Sequence, residues 1–110
     1  LTVSIHQNSY HEEYVHGAQV FYYANSEKSK TLAEQIQQAM ALELDKDNAR
    51  KAKANDSYYL LKKTSTPIVI VECGFLSNYE EAQKLSSDLY QEKAAWAIHL
   101  AILQHLNDQK

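Results

Sequence analysis

Four consecutive β-branched residues, Ile68-Val69-Ile70-Val71, constrain this chain more than any other feature. A run that is apolar at every position cannot alternate between core and solvent. It therefore predicts a strand covered on both faces, as at the centre of a layered sheet. Glu72-Cys73-Gly74 ends the run. Three further segments predict its neighbours. Residues Leu1 to Asn8 alternate, with Leu1, Val3 and Ile5 on one face and Thr2, Ser4 and His6 on the other, the period of a strand. A polar connection holding His11, Glu12, Glu13 and His16 closes at Gly17, and the β-branched and aromatic segment from Ala18 to Tyr23 predicts a second strand. Ser57 to Leu61 (SYYLL) predicts a third, making Ile68 to Val71 the fourth.

The helices carry a different period. Leu32, Ile36 and Met40 recur every four residues, Ala33 and Ala39 widen the stripe, and Asn25 and Ser26 supply an N-cap. A polar stretch from Asp45 to Asp56 follows, holding the only arginine, Arg50, and Lys62 to Pro67 form a polar turn. Asn78 predicts the cap of a short helix through Glu81 and Leu85. Asp88 opens a final helix with Ile98, Ile102 and Leu106 in line and Trp96, Leu100 and Leu103 beside them. The order β-β-α-β-β-α-α predicts an α/β fold, a three-layer α/β/α arrangement with a mixed central sheet. Four strands leave two open edges, which suggests that further strands belong beside them.

Composition bounds the function. A length of 110 residues allows one domain or a piece of one, and 45% hydrophobic residues suffice for a core. A net charge of −3 without a basic stripe argues against nucleic acid. No run of 18 apolar residues is present, so no membrane span is expected, and Leu1 opens a strand rather than a signal peptide. Cys73, the single cysteine, excludes an intramolecular disulfide and reads as a small buried side chain.

Glu72 is the first candidate for chemistry. A carboxylate at the carboxyl end of a buried strand lies where ligands bind in open α/β sheets, and desolvation there raises its pKa toward that of a general acid or base. The alternative is a glutamate that turns outward and bonds the loop around Gly74. His6 ends the first strand on its polar face. It reads either as a zinc ligand oriented by Asn8 or a backbone carbonyl, or as a surface histidine. His11 and His16 match no H-E-x-x-H pattern and read as solvated, as do His99 and His105. Tyr22-Tyr23 and Tyr58-Tyr59 fit cross-strand packing better than a sugar groove. Arg50 could meet an anionic substrate group or a neighbouring acid. Two glycines can build neither a G-x-S-x-G elbow nor a phosphate loop.

Three segments together resemble a known family. Ser4-Ile5-His6-Gln7-Asn8 is similar to the S-I-H-x-N strand end of zinc-dependent N-acetylmuramoyl-L-alanine amidases, which act on peptidoglycan. Val71-Glu72-Cys73-Gly74-Phe75-Leu76-Ser77-Asn78 resembles their V-E-x-G-F-L-S-N motif, and Gly17-Ala18-Gln19-Val20-Phe21-Tyr22 their G-A-x-x-F-Y strand. Arg50, Tyr59-Leu60-Leu61-Lys62 and Pro67 follow the same order. Tyr90-Gln91-Glu92-Lys93 leans toward the spore-germination cortex amidases. The resemblance implies that residues 1–110 are the C-terminal portion of one catalytic domain, without the family's N-terminal strands and helices. It implies hydrolysis of the amide between N-acetylmuramic acid and L-alanine, with Zn²⁺ as cofactor, a zinc-bound water as nucleophile, His6 as one of three metal ligands and Glu72 as general acid/base. The other two ligands, a histidine and a glutamate, would lie upstream of Leu1. Peptidoglycan is the implied partner, in the cell wall or spore cortex. Two other readings stay open: a non-catalytic amidase-like module that binds peptidoglycan or a partner protein, and a structural α/β domain related by ancestry alone.

Overall fold

The computed structural model describes residues 1–56 and 66–109. Its elements run β1 (Thr2–Asn8), β2 (Gln19–Tyr22), α1 (Glu27–Glu43), β3 (Lys53–Ala54), β4 (Ile68–Phe75), α2 (Tyr79–Leu85) and α3 (Asp88–Asp108). The sheet order is β1-β4-β2-β3. β4 runs parallel to β1 and antiparallel to β2, and β3 lies parallel to β2, so the sheet is mixed as expected. All eight residues of β4 are buried, which is what an uninterrupted apolar run requires. The strand expected over 57–61 lies outside the described residues, as does most of the turn after it. β3 falls in the stretch that reads as polar. Lys53 and Ala54 are exposed, and the strand follows from the open edge of β2 rather than from any apolar pattern.

The two faces of β4 meet different partners. Val69, Val71 and Cys73 face the larger core with Leu32, Ile36 and Met40 of α1 and Ala97, Ile98 and Ala101 of α3. The stripe read from the sequence of α1 is thus the buried one, each large apolar side chain contributing about 1.5–3 kcal/mol. Ile68 and Ile70 face the other way, against Phe21 and Tyr23. Ser26 caps α1 by accepting from the Ser29 amide, and Asn78 caps α2 by accepting from the Glu81 amide. Gln37 is a buried polar exception with a purpose. Its Oε1 accepts from Val20 N–H at 2.8 Å and its Nε2 donates to Ala18 O at 3.0 Å, so α1 completes the hydrogen bonding of β2 where β3 does not reach.

Helix α3 forms as expected, and of its expected apolar line Ile98 and Ile102 meet the core while Leu106 does not. Its buried face is Ala94, Ala97, Ile98, Ala101 and His105, while Trp96 is 55% exposed and Leu103 and Leu106 also face outward. Small side chains allow close approach to α1, and that outweighs the size of the apolar residues beside them. His105 is accordingly not solvated. Its Nδ1 lies 2.9 Å from Gln35 Oε1 and its Nε2 accepts from Gln109 at 2.7 Å, which satisfies a buried imidazole. His99 is exposed as expected.

Candidate active site

The site begins with strand register. His6 of β1 and Gln19 of β2 both pair with Glu72 of β4, and paired residues share a face of the sheet. Three strands therefore set an imidazole, a carboxylate and an amide in one row, on the Ile68–Ile70 face, with adjacent strands about 4.8 Å apart. Glu72 is only 4% exposed and its Oε2 is buried, so the outward-turned alternative does not hold. His6 lies at the more open end of the row and is exposed.

Beyond this row the register slips. Two steps along β1, from His6 to Asn8, match three along β4, from Glu72 to Phe75. The extra residue is a β-bulge, and it re-aims the strand so that Phe75 comes to the face of Asn8. Phe75 correspondingly belongs to neither apolar cluster, though it is buried. The strand end is thus bent rather than simply running out.

Glu81 holds this shape. It accepts from Gly17 N–H at 3.0 and 2.9 Å through its two oxygens, and from Phe75 N–H at 2.9 Å. One buried carboxylate from α2 thereby joins the bulge to the start of β2. Two more bonds tie the β1–β2 loop to the β4–α2 turn: Tyr10 N–H donates to Ser77 Oγ and Asn78 Nδ2 to Glu13 O. The sequence signals Asn78-x-x-Glu81 as a helix start, the pattern of a capping box. The reach of Glu81 across 64 residues has no local signature.

Arg50 stands at the far end of the row. Its Nη1 donates to Gln19 Oε1 at 3.0 Å and its Nε to His16 O at 2.8 Å, while the guanidinium carbon sits 5.2 Å from the Phe75 ring centroid. Its neighbours are an amide, a carbonyl and an aromatic face. The neighbouring acid expected from the sequence is absent among the described residues.

His6 Nε2 lies 2.7 Å from Ser4 Oγ, two residues back on the same face. Ser4 thus takes the orienting role expected of Asn8, whose Oδ1 instead accepts from Ser9 N–H. An exposed imidazole beside a carboxylate fits one ligand of a zinc site. Among the described residues no three His, Cys, Asp or Glu side chains form a group that could hold a metal ion. His11 and His16 are exposed and do not join His6, in line with the solvated reading. Cys73 is buried as expected. Desolvation, with the Glu72 charge beside it, pushes its thiol up to about 11, so it stays protonated and unreactive at neutral pH.

The family model for N-acetylmuramoyl-L-alanine amidase matches residues 1–104. The germination-specific N-acetylmuramoyl-L-alanine amidase of Bacillus subtilis is 35% identical over 109 residues, covering 99% of this chain and 46% of that protein. The amidase LytC of the same organism is 37% identical over 90% of this chain and 20% of its own length. Among solved structures, the CwlD amidase from Clostridioides difficile, in complex with the GerS lipoprotein, superposes with a TM-score of 0.93 at 44% identity, over 96% of this chain and 53% of that one. The amidase AmiC2 of Nostoc punctiforme gives 0.84 at 32% identity, over 96% and 57%. The chain thus spans about half the length of the germination-specific relative and of these two structures.

Proposed function

The chain belongs to the N-acetylmuramoyl-L-alanine amidase family, and on that footing we propose that it carries part of the active site of a zinc-dependent hydrolase acting on the amide between N-acetylmuramic acid and L-alanine in peptidoglycan. The observation that carries this reading is Glu72, buried at the end of the central strand and in register with His6. A carboxylate held in register with an imidazole at a strand end suits a proton acceptor beside a metal ligand.

In this reading His6 is one metal ligand, and the remaining ligands come from the part of the family's domain that these 110 residues do not span. Zinc at such a site supplies an acidified water and an electrophile for the carbonyl oxygen. The chain's own contribution is the proton path. Glu72 accepts a proton from the water as its oxygen bonds to the lactyl carbonyl carbon. It returns that proton to the alanine nitrogen as the C–N bond breaks. The hydrogen bonds of Glu81 hold the strand end so that Glu72 and Phe75 keep their places. The family and the germination-specific relative support a cell-wall or spore-cortex location. No helix among the described residues is long and apolar enough to cross a membrane.

The test is Glu72→Gln in the full-length protein. Amide cleavage of N-acetylmuramoyl-L-alanine peptides should fall by about 10²–10⁴-fold with unchanged circular dichroism and unchanged zinc content. His6→Ala should lower zinc content as well as rate. Wild-type rates in the Gln variant, or a wild-type protein without stoichiometric zinc, would refute the reading.

A further inference from the structure

Arg50 is held in a way that a structural arginine does not need. Its guanidinium is half-buried and fixed on three sides, by His16 O, Gln19 Oε1 and the Phe75 ring, and none of the three is charged. No acidic side chain among the described residues pairs with it. Taking a cation partly out of water without a counter-charge costs free energy, whereas a neutral side chain could tie the same segments together. Gly17 makes the room. Its φ is +101° and a Cβ there would lie 3.1 Å from Arg50 Nε, so the backbone is shaped to let the guanidinium lie against it. The bulge that turns Phe75 to the Glu72 face supplies the ring beneath, and Gln19, in register with Glu72, joins Arg50 to the reacting row.

We infer that Arg50 is a specificity-determining residue, binding a carboxylate of the substrate on the side of Glu72 away from His6. This rests on the proposed amidase function. The substrate's chemistry says which half of it is read. The lactyl carboxyl of N-acetylmuramic acid is consumed in the scissile amide, so the free carboxylates lie on the peptide side. Arg50 therefore orients the peptide and leaves the glycan toward the His6 edge. A guanidinium suits this better than an ammonium, because its planar fork meets both oxygens of a carboxylate.

The experiment uses the full-length protein and two N-acetylmuramoyl-L-alanyl peptides that differ only in a carboxylate or a carboxamide on the residue after L-alanine. Wild type should favour the carboxylate by about 10- to 100-fold in kcat/KM, the worth of a charged hydrogen bond, and added salt should narrow the gap. Arg50→Gln should lose rate on the carboxylate alone and reach parity, while Arg50→Lys keeps part of the preference. Binding to the Glu72→Gln protein repeats the comparison without turnover. Equal wild-type rates on the two peptides overturn the inference, even if Arg50→Gln fails to fold. So does an Arg50→Gln loss that falls equally on both, the mark of a structural tie. A wild-type protein that cleaves neither peptide instead defeats the amidase reading, and the inference with it.

Discussion

Two buried glutamates, nine residues apart, divide the work at the strand end. Glu72 is the candidate proton carrier, and Glu81 satisfies three donor–acceptor contacts that hold the surrounding backbone. Only the first was legible in the sequence, because a carboxylate directly after four apolar strand residues is locally conspicuous. Glu81 lies in an ordinary amphipathic turn, and its partners Gly17 and Phe75 become visible only once the chain has folded. The same holds for Arg50, whose partner Gln19 is 31 residues away. The stability consequence belongs to this scale. Glu81→Ala leaves the Gly17 and Phe75 amides buried without their acceptor and should cost roughly 2–4 kcal/mol, measured by urea unfolding. Glu81→Gln keeps one acceptor oxygen and should cost less. A Glu81→Ala protein of wild-type stability would show that water replaces the carboxylate, and that the bulge does not depend on it.

At the scale of elements, periodicity decided most of what could be read. The alternation in β1, the unbroken run in β4 and the four-residue repeat of α1 each became the element expected, and Ser26 and Asn78 cap as their positions imply. The line read along α3 held in part: Ile98 is buried and Ile102 packs against the core, while Leu106 faces outward. A line through Ile98, Ile102 and Leu106 carries more apolar surface, but α1 lies close enough that alanines fill the contact and Trp96 is turned outward. This gives a paired prediction. Ala97→Leu inserts three carbons where there is no room and should destabilise by about 1–3 kcal/mol. Trp96→Ala, at an exposed position, should change stability by about 0.5 kcal/mol or less. Equal losses in the two variants would mean that Trp96 is buried against something the described residues do not include.

Over the whole molecule, the layers are joined through β4, and two ionisable groups sit in that joint. Burial, reinforced by Glu72, raises the Cys73 thiol from 9.0 to about 11. Burial, reinforced first by Glu81, raises the Tyr90 phenol from 10.0 to about 12, and its hydroxyl donates to Cys73 O at 3.0 Å. Both shifts disfavour a negative charge inside the fold, so their sign is the same. Below pH 9 the folded and unfolded chains carry both protons alike, and neither group makes stability depend on pH. Between 9 and about 11 the unfolded chain releases the thiol proton while the folded chain retains it, so the unfolded chain binds fewer protons and stability falls as pH rises. Tyr90 adds a second decline from 10 to about 12. The urea midpoint should therefore drop progressively above pH 9 as these two contributions are lost. Cys73→Ala lowers the baseline by leaving a small void but removes the first decline, and Tyr90→Phe removes the second. If the alkaline slope is the same in both variants as in wild type, the joint between sheet and α3 is not where alkali acts. The fold would then be opening first somewhere that Cys73 and Tyr90 do not hold.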